Sequence, residues 1–236
     1  MQLSKQNTLW CIGDSFCASG GNWIKTLTTS LNLNLGSLGI GGSGLQSAYN
    51  QFMIIKDRIK ENDRVLFCYS THNRNLFNNK HHAVHILTGI VPMDYHTKEE
   101  VNAYKEYITH LHTDKEELVR GTAMLYYIIE NLLKKLPTDK IVCLPSVDDS
   151  YNQMDYPNHF WLEYPNLFKF AIDYVVAKYP DKTLDECSKI IPNGNNHWIG
   201  DDDEEYGIQF FKKYKPLLSK LDFDVYPTKA INRSLL

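Results

Sequence analysis

Three things are scarce in this sequence of 236 residues: an excess of one charge, paired cysteines and long apolar runs. Its 25 Lys and Arg stand against 28 Asp and Glu, for a formal charge of −3, and the basic residues are scattered rather than massed. That leaves no electrostatic footprint for nucleic acid or an anionic membrane, so no nucleic-acid partner is expected. No apolar run approaches the ~20 residues of a membrane-spanning helix, so no span is expected. Met1–Thr8 is polar and lacks the basic-then-apolar design of a secretory leader. The five cysteines are odd in number and include no Cys-x-x-Cys pair, which argues against a disulfide framework. Cys11, Cys68 and Cys143 fall in apolar stretches that read as buried strands, where a thiol behaves as a small apolar residue. A reducing, cytoplasmic location is the expectation. What the chain does have is core: 43% hydrophobic residues suffice for one large domain over 1–236.

The stretch that organises the rest is Trp10-Cys-Ile-Gly-Asp-Ser-Phe16. Thr8–Ile12 is an unbroken apolar run and predicts a short buried strand. It runs into Gly13-Asp14-Ser15, and a helical pattern starts near Asn22-Trp23 with Ile24, Leu27 and Leu31. Leu31–Leu35 alternates strictly and predicts a second strand. It empties into the glycine-dense segment Gly36–Gly44, followed by a helix over Leu45–Lys60 with Tyr49, Phe52, Met53 and Ile59 as its apolar side. Arg64–Tyr69 predicts a third strand. From about 75 to 112 the pattern weakens into an Asn- and His-rich insertion, with a short helix expected over Lys98–His110. Lys115–Leu136 predicts a helix whose apolar face runs from Leu118 and Val119 to Leu132 and Leu133, ended by Pro137. Lys140–Leu144 predicts a fourth strand, and Phe160–Tyr179 another helix. The acidic run Asp201–Glu205 predicts the start of a last helix carrying Ile208, Phe210, Phe211, Tyr214 and Leu217, where carboxylates pair favourably with the helix dipole. Short strands alternating with helices predict a single-domain three-layer α/β/α sandwich on a parallel sheet.

In such folds chemistry collects at the carboxyl edge of the sheet. Ser15 follows the first strand, the glycine run follows the second and Asn73 follows the third, while His197 stands in a loop before the last helix. A serine on a tight strand-to-helix turn presents its hydroxyl beside backbone N–H groups, which suits a nucleophile next to an oxyanion site. Glycine lets a backbone N–H approach such an oxyanion unobstructed, and asparagine supplies an uncharged N–H₂ donor. Asp14 reads as structural, holding the turn through bonds to nearby N–H groups.

These residues, in this order, resemble the SGNH (GDSL-type) hydrolase superfamily. The match runs through Gly13-Asp14-Ser15, then Asn34-Leu35-Gly36-Ser37-Leu38-Gly39, then Asn73, then His197, and so spans most of the chain. The resemblance implies Ser15 as nucleophile, His197 as general base, and an oxyanion hole from the N–H groups of Ser15 and Gly39 with the Asn73 amide. It implies a flavodoxin-like fold and hydrolysis of acyl esters, such as O-acyl groups on carbohydrate or lipid, with no cofactor and no metal. The chain departs from the family at Gly194, where an Asp usually precedes the histidine by three. A backbone carbonyl, Asn193, Asn195 or Asp201 is then left to orient the imidazole. Thr71, Arg74 and Phe16 also differ from the family's usual Gly, Asp and Leu.

Three rival readings share the sequence. Gly39-x-Gly41-x-x-Gly44 is formally a dinucleotide fingerprint, with Asp57 and Glu61 about the right distance downstream. His81-His82-x-x-His85 has helical i, i+4 spacing, which would suit zinc. The third is a catalytically weak or inactive binding protein on the same fold, which the glycine at position 194 favours.

Overall fold

A computed structural model describes residues 6–18, 22–70, 74–77, 80–85, 97–111, 114–146, 167–183, 186–187 and 204–222. Four strands, β1 (Thr8–Gly13), β2 (Asn34–Ser37), β3 (Arg64–Tyr69) and β6 (Ile141–Pro145), form one sheet in the order β2-β1-β3-β6. Every pairing in it is parallel, with Gly13 opposite Cys68 and Tyr69 opposite Pro145 at the carboxyl edge. Helices α1 (Asn22–Ser30), α2 (Leu45–Ile55), α3 (Lys98–Leu111), α4 (Asp114–Tyr127), α5 (Leu167–Lys178) and α6 (Glu204–Leu218) lie between and after the strands. The fold is therefore α/β. Strand order reverses between β2 and β3 around β1, and at such a reversal open α/β sheets leave a crevice at the carboxyl ends of the strands.

Alternation along the strands sorts the core into two clusters. Leu9, Cys11, Leu66, Cys68, Val142 and Leu144 pack with α1, α5 and α6, where Phe210 and Tyr214 sit with ring centroids 4.6 Å apart. Ile12, Val65, Phe67, Tyr69 and Cys143 pack instead with α2 and the end of α4. All five cysteines are free and buried, in keeping with thiols used as small apolar residues. No described helix is long and apolar enough to cross a membrane.

Several elements differ from the sequence expectation, each for a local reason. The second strand starts at Asn34 rather than Leu31. Leu31–Leu33 instead close α1: Asn32 adopts φ +50°, its N–H bonds the Thr29 carbonyl and the Leu33 N–H bonds that of Thr28, a helix stop that uses a left-handed residue. α2 stops at Ile55, followed by a 3₁₀ turn at Lys56–Arg58 and an extended Ile59. Its buried side includes Ser47 and Gln51, whereas Met53 is exposed. The long helix predicted over Lys115–Leu136 widens to a π-turn at Ile128–Leu132, and Val119 is exposed. Within the insertion, β4 (Arg74–Phe77) and β5 (Lys80–His85) form an antiparallel hairpin that the sequence reading did not anticipate. The helix expected at Lys98–His110 is present as α3. Residues 160–166 of the predicted fifth helix, and Asp201–Asp203 of the acidic run, lie outside the described residues.

Candidate active site

β1 ends on Gly13, whose φ of +132° suits glycine, and a Cβ there would overlap the Cys68 carbonyl on the neighbouring strand. The Gly13 carbonyl accepts bonds from the Ile40 N–H at 3.1 Å, Ser43 Oγ at 3.0 Å and Gln51 Nε2 at 2.9 Å, while its N–H donates to Gln51 Oε1 at 2.7 Å. This clamp fixes where the chain leaves the sheet. Asp14 follows, fully buried, and caps a single 3₁₀ turn at Ser15–Cys17 by accepting the Phe16 N–H at 3.0 Å. The structural reading of Asp14 therefore has a direct counterpart in the fold. Ser15, the first residue of that turn, is partly exposed at the carboxyl edge of the sheet.

The glycine segment is laid against the same turn. Ser37 Oγ donates to the Cys17 carbonyl at 2.9 Å, and the Leu38 N–H donates to the Cys11 carbonyl at 2.9 Å. Gly39 packs so closely that a Cβ would come within 2.6 Å of the Cys17 carbonyl carbon and the Ala18 nitrogen. A Cβ on Gly41 would sit 4.0 Å from Ser15 Cβ. Among the described residues no protein acceptor takes the backbone N–H of Ser15 or of Gly39. The glycine segment thus reaches the Ser15–Cys17 turn at two points, Gly39 against Cys17 and Ala18 and Gly41 near Ser15.

Of the four residues singled out from sequence, Ser15 and Gly39 are described, Ser15 opening the turn and Gly39 packed on its far end at Cys17 and Ala18. Asn73 and His197 lie outside the described residues, as do Gly194 and the groups suggested to orient the imidazole. Asn34, the first residue of the matched Asn-x-Gly segment, lies at the opposite end of β2 and donates to the Gln6 carbonyl. The sequence reading missed Gln51, Ser43 and Ser146, which hold the turn from α2, the glycine segment and the end of β6. Gln51 left one trace, a polar residue four positions from Ser47 and Ile55 on an otherwise apolar helix side. Ser70 Oγ, buried just past β3, has no hydrogen-bond partner among the described residues.

Cys17, the last residue of the turn, has Cys11 and Cys68 as neighbours. Burial first, and then the neighbouring Cys17, pushes the Cys11 and Cys68 thiols well above their ordinary range, and the Asp14 charge adds to the shift at Cys68. These two are packing groups rather than nucleophiles. The helical spacing on which the metal reading of the insertion rests is not realised. A strand, not a helix, carries His81, His82 and His85, and among the described residues no group of three His, Cys, Asp or Glu is placed to hold a metal. The dinucleotide reading fails in another way. Gly39–Gly44 lies at the carboxyl edge with Gly13, whereas Asp57 lines a recess with Asn7, Thr8 and Trp10 at the start of β1. No protein-family profile matches this chain, and no curated protein matches it either.

Proposed function

We propose that the protein is a serine ester hydrolase of the SGNH type, built as a flavodoxin-like three-layer domain, in which Ser15 forms the acyl-enzyme. One observation carries this reading: a partly exposed Ser15 on a clamped turn at the carboxyl edge, with the glycine segment packed on that turn and the N–H groups of Ser15 and Gly39 without an acceptor among the described residues. Acyl transfer needs such donors where the tetrahedral oxygen develops negative charge, and each is typically worth about 10²–10³ in rate. In the proposed cycle, His197 takes the Ser15 proton as Oγ attacks the acyl carbon. The Ser15 and Gly39 N–H groups and the Asn73 amide hold the oxyanion. The ester C–O bond then breaks, the alcohol leaves with the proton from His197, and water repeats the sequence on the acyl-enzyme. Substrates of the class implied are acyl esters of carbohydrate or lipid, and the chemistry calls for no cofactor.

Turnover of a chromogenic short-chain acyl ester tests the reading. Wild-type protein hydrolyses it, and Ser15→Ala and His197→Ala each lower kcat by at least about 10³-fold without lowering Tm. Equal rates in wild type and Ser15→Ala overturn it and leave a binding protein on the same fold.

A further inference from the structure

The Asp14 carboxylate directly precedes Ser15 in sequence, is fully buried and is gripped from two directions. Its Oδ1 accepts the Phe16 N–H at 3.0 Å from within the turn. The same oxygen accepts the hydroxyl of Ser146 at 3.0 Å, across 132 positions of sequence. Ser146 is itself fully buried at the end of β6. Its N–H donates to the Tyr69 carbonyl and its carbonyl accepts the Phe168 N–H, both at 2.8 Å. One residue thus joins the ends of β3 and β6 to the first turn of α5 through its backbone, and the turn after β1 to them through its hydroxyl.

We infer that Ser146 is a positioning residue for Ser15, acting through the Asp14 carboxylate; this rests on the hydrolase reading above. The bond from Phe16 is local and moves with the turn, so it cannot by itself set the turn's angle to the sheet. The bond from Ser146 ties the carboxylate to β6. A carboxyl group buried in a low-dielectric interior is held hard by each hydrogen-bond partner it has, because losing one leaves its desolvation uncompensated. The Gly13 clamp and the glycine segment keep the turn in place, so removing the Ser146 hydroxyl shifts it only slightly, enough for Ser15 Oγ to leave the narrow range of orientations from which attack occurs. Ser146 has no exposed surface, so the effect falls on the bond-forming step and not on affinity.

The test is phosphonylation of the full chain by a fluorophosphonate, followed against probe concentration. Ser15 Oγ bonds to phosphorus, fluoride leaves, and the hydroxyl proton passes to the base. Ser146→Ala lowers the saturating rate about 10-fold with the half-saturating concentration unchanged, and Ser146→Thr, which keeps the hydroxyl, restores most of it. In an Asp14→Asn background the same change costs under about 3-fold, because the carboxyl group it serves is gone. If Ser146→Ala does not fold, Ser146→Cys, close in size and a weak donor, takes its place under the same criteria. A wild-type saturating rate in Ser146→Ala, or an equal loss in both backgrounds, overturns the inference alone. A wild type that is not labelled overturns the hydrolase reading and this inference with it.

Discussion

Gly13 meets four polar contacts in one place: its carbonyl takes three donors and its N–H reaches Gln51. Gln51 alone supplies two of these, one in each direction, from a side chain only 3% exposed. Gln51→Ala leaves the buried Gly13 N–H without a partner and removes one of three donors from its carbonyl. We expect it to lower stability by about 2–3 kcal/mol in urea titration, and the shape-matched Gln51→Leu to recover little of that. Full recovery by leucine would mean that packing, not hydrogen bonding, sets the turn. At this scale Gly13-Asp14-Ser15 and Gly39 were legible, because a strand, a tight turn and a glycine run each leave a local signature. Gln51, Ser43 and Ser146 were not. Their partners lie 38, 30 and 132 positions away, and a polar residue that bonds across the fold carries no local mark.

Elements were legible where periodicity alone decides them, and shifted where a hydrogen bond between neighbours overrode it. β3 came out at the predicted bounds because all six of its residues are buried and apolar contacts dominate on both faces. Leu31–Leu35 looked like a strand, yet Asn32 takes the left-handed conformation and spends the first three residues closing α1. The last helix behaves in the same way at its far end. Beyond α6, Asp222 at φ +63° turns back to the sheet, where Arg64 Nη2 and Lys140 Nζ each reach its Oδ2 at 2.5 Å. The Lys140 hydrogen bond, followed by the charges of Lys140 and Arg64, holds the Asp222 carboxyl below its ordinary value. A carboxylate with a lowered folded pKa stabilises fully above its unfolded pKa, and the contribution is lost as pH falls through the folded value. The Tm gap between wild type and Asp222→Asn should therefore be widest near neutrality and close below the ordinary carboxylate range. Because the side chain is half exposed, the gap should also shrink with salt. A gap independent of pH would mean that the ion pairs contribute nothing.

In the whole molecule, the sheet order β2-β1-β3-β6 and the two clusters on its faces place β1 and β3 at the centre, each paired on both sides. The parallel α/β architecture was readable from the alternation of strands and helices, since parallel strands need crossovers long enough to hold a helix. The β4–β5 hairpin was not, since its apolar residues come as the pairs Leu76-Phe77 and Ala83-Val84 rather than in alternation, and among the described residues its ladder pairs only with itself. The central position of β1 matters for function because it fixes the Ser15 turn at the reversal of strand order, where open α/β sheets leave a crevice. The most direct measurement is the mass of the intact chain after incubation with a fluorophosphonate, followed by mapping of the modified peptide. The account predicts one adduct per chain, on Ser15, absent from Ser15→Ala and His197→Ala. An unmodified wild type, or an adduct that survives Ser15→Ala, would contradict it.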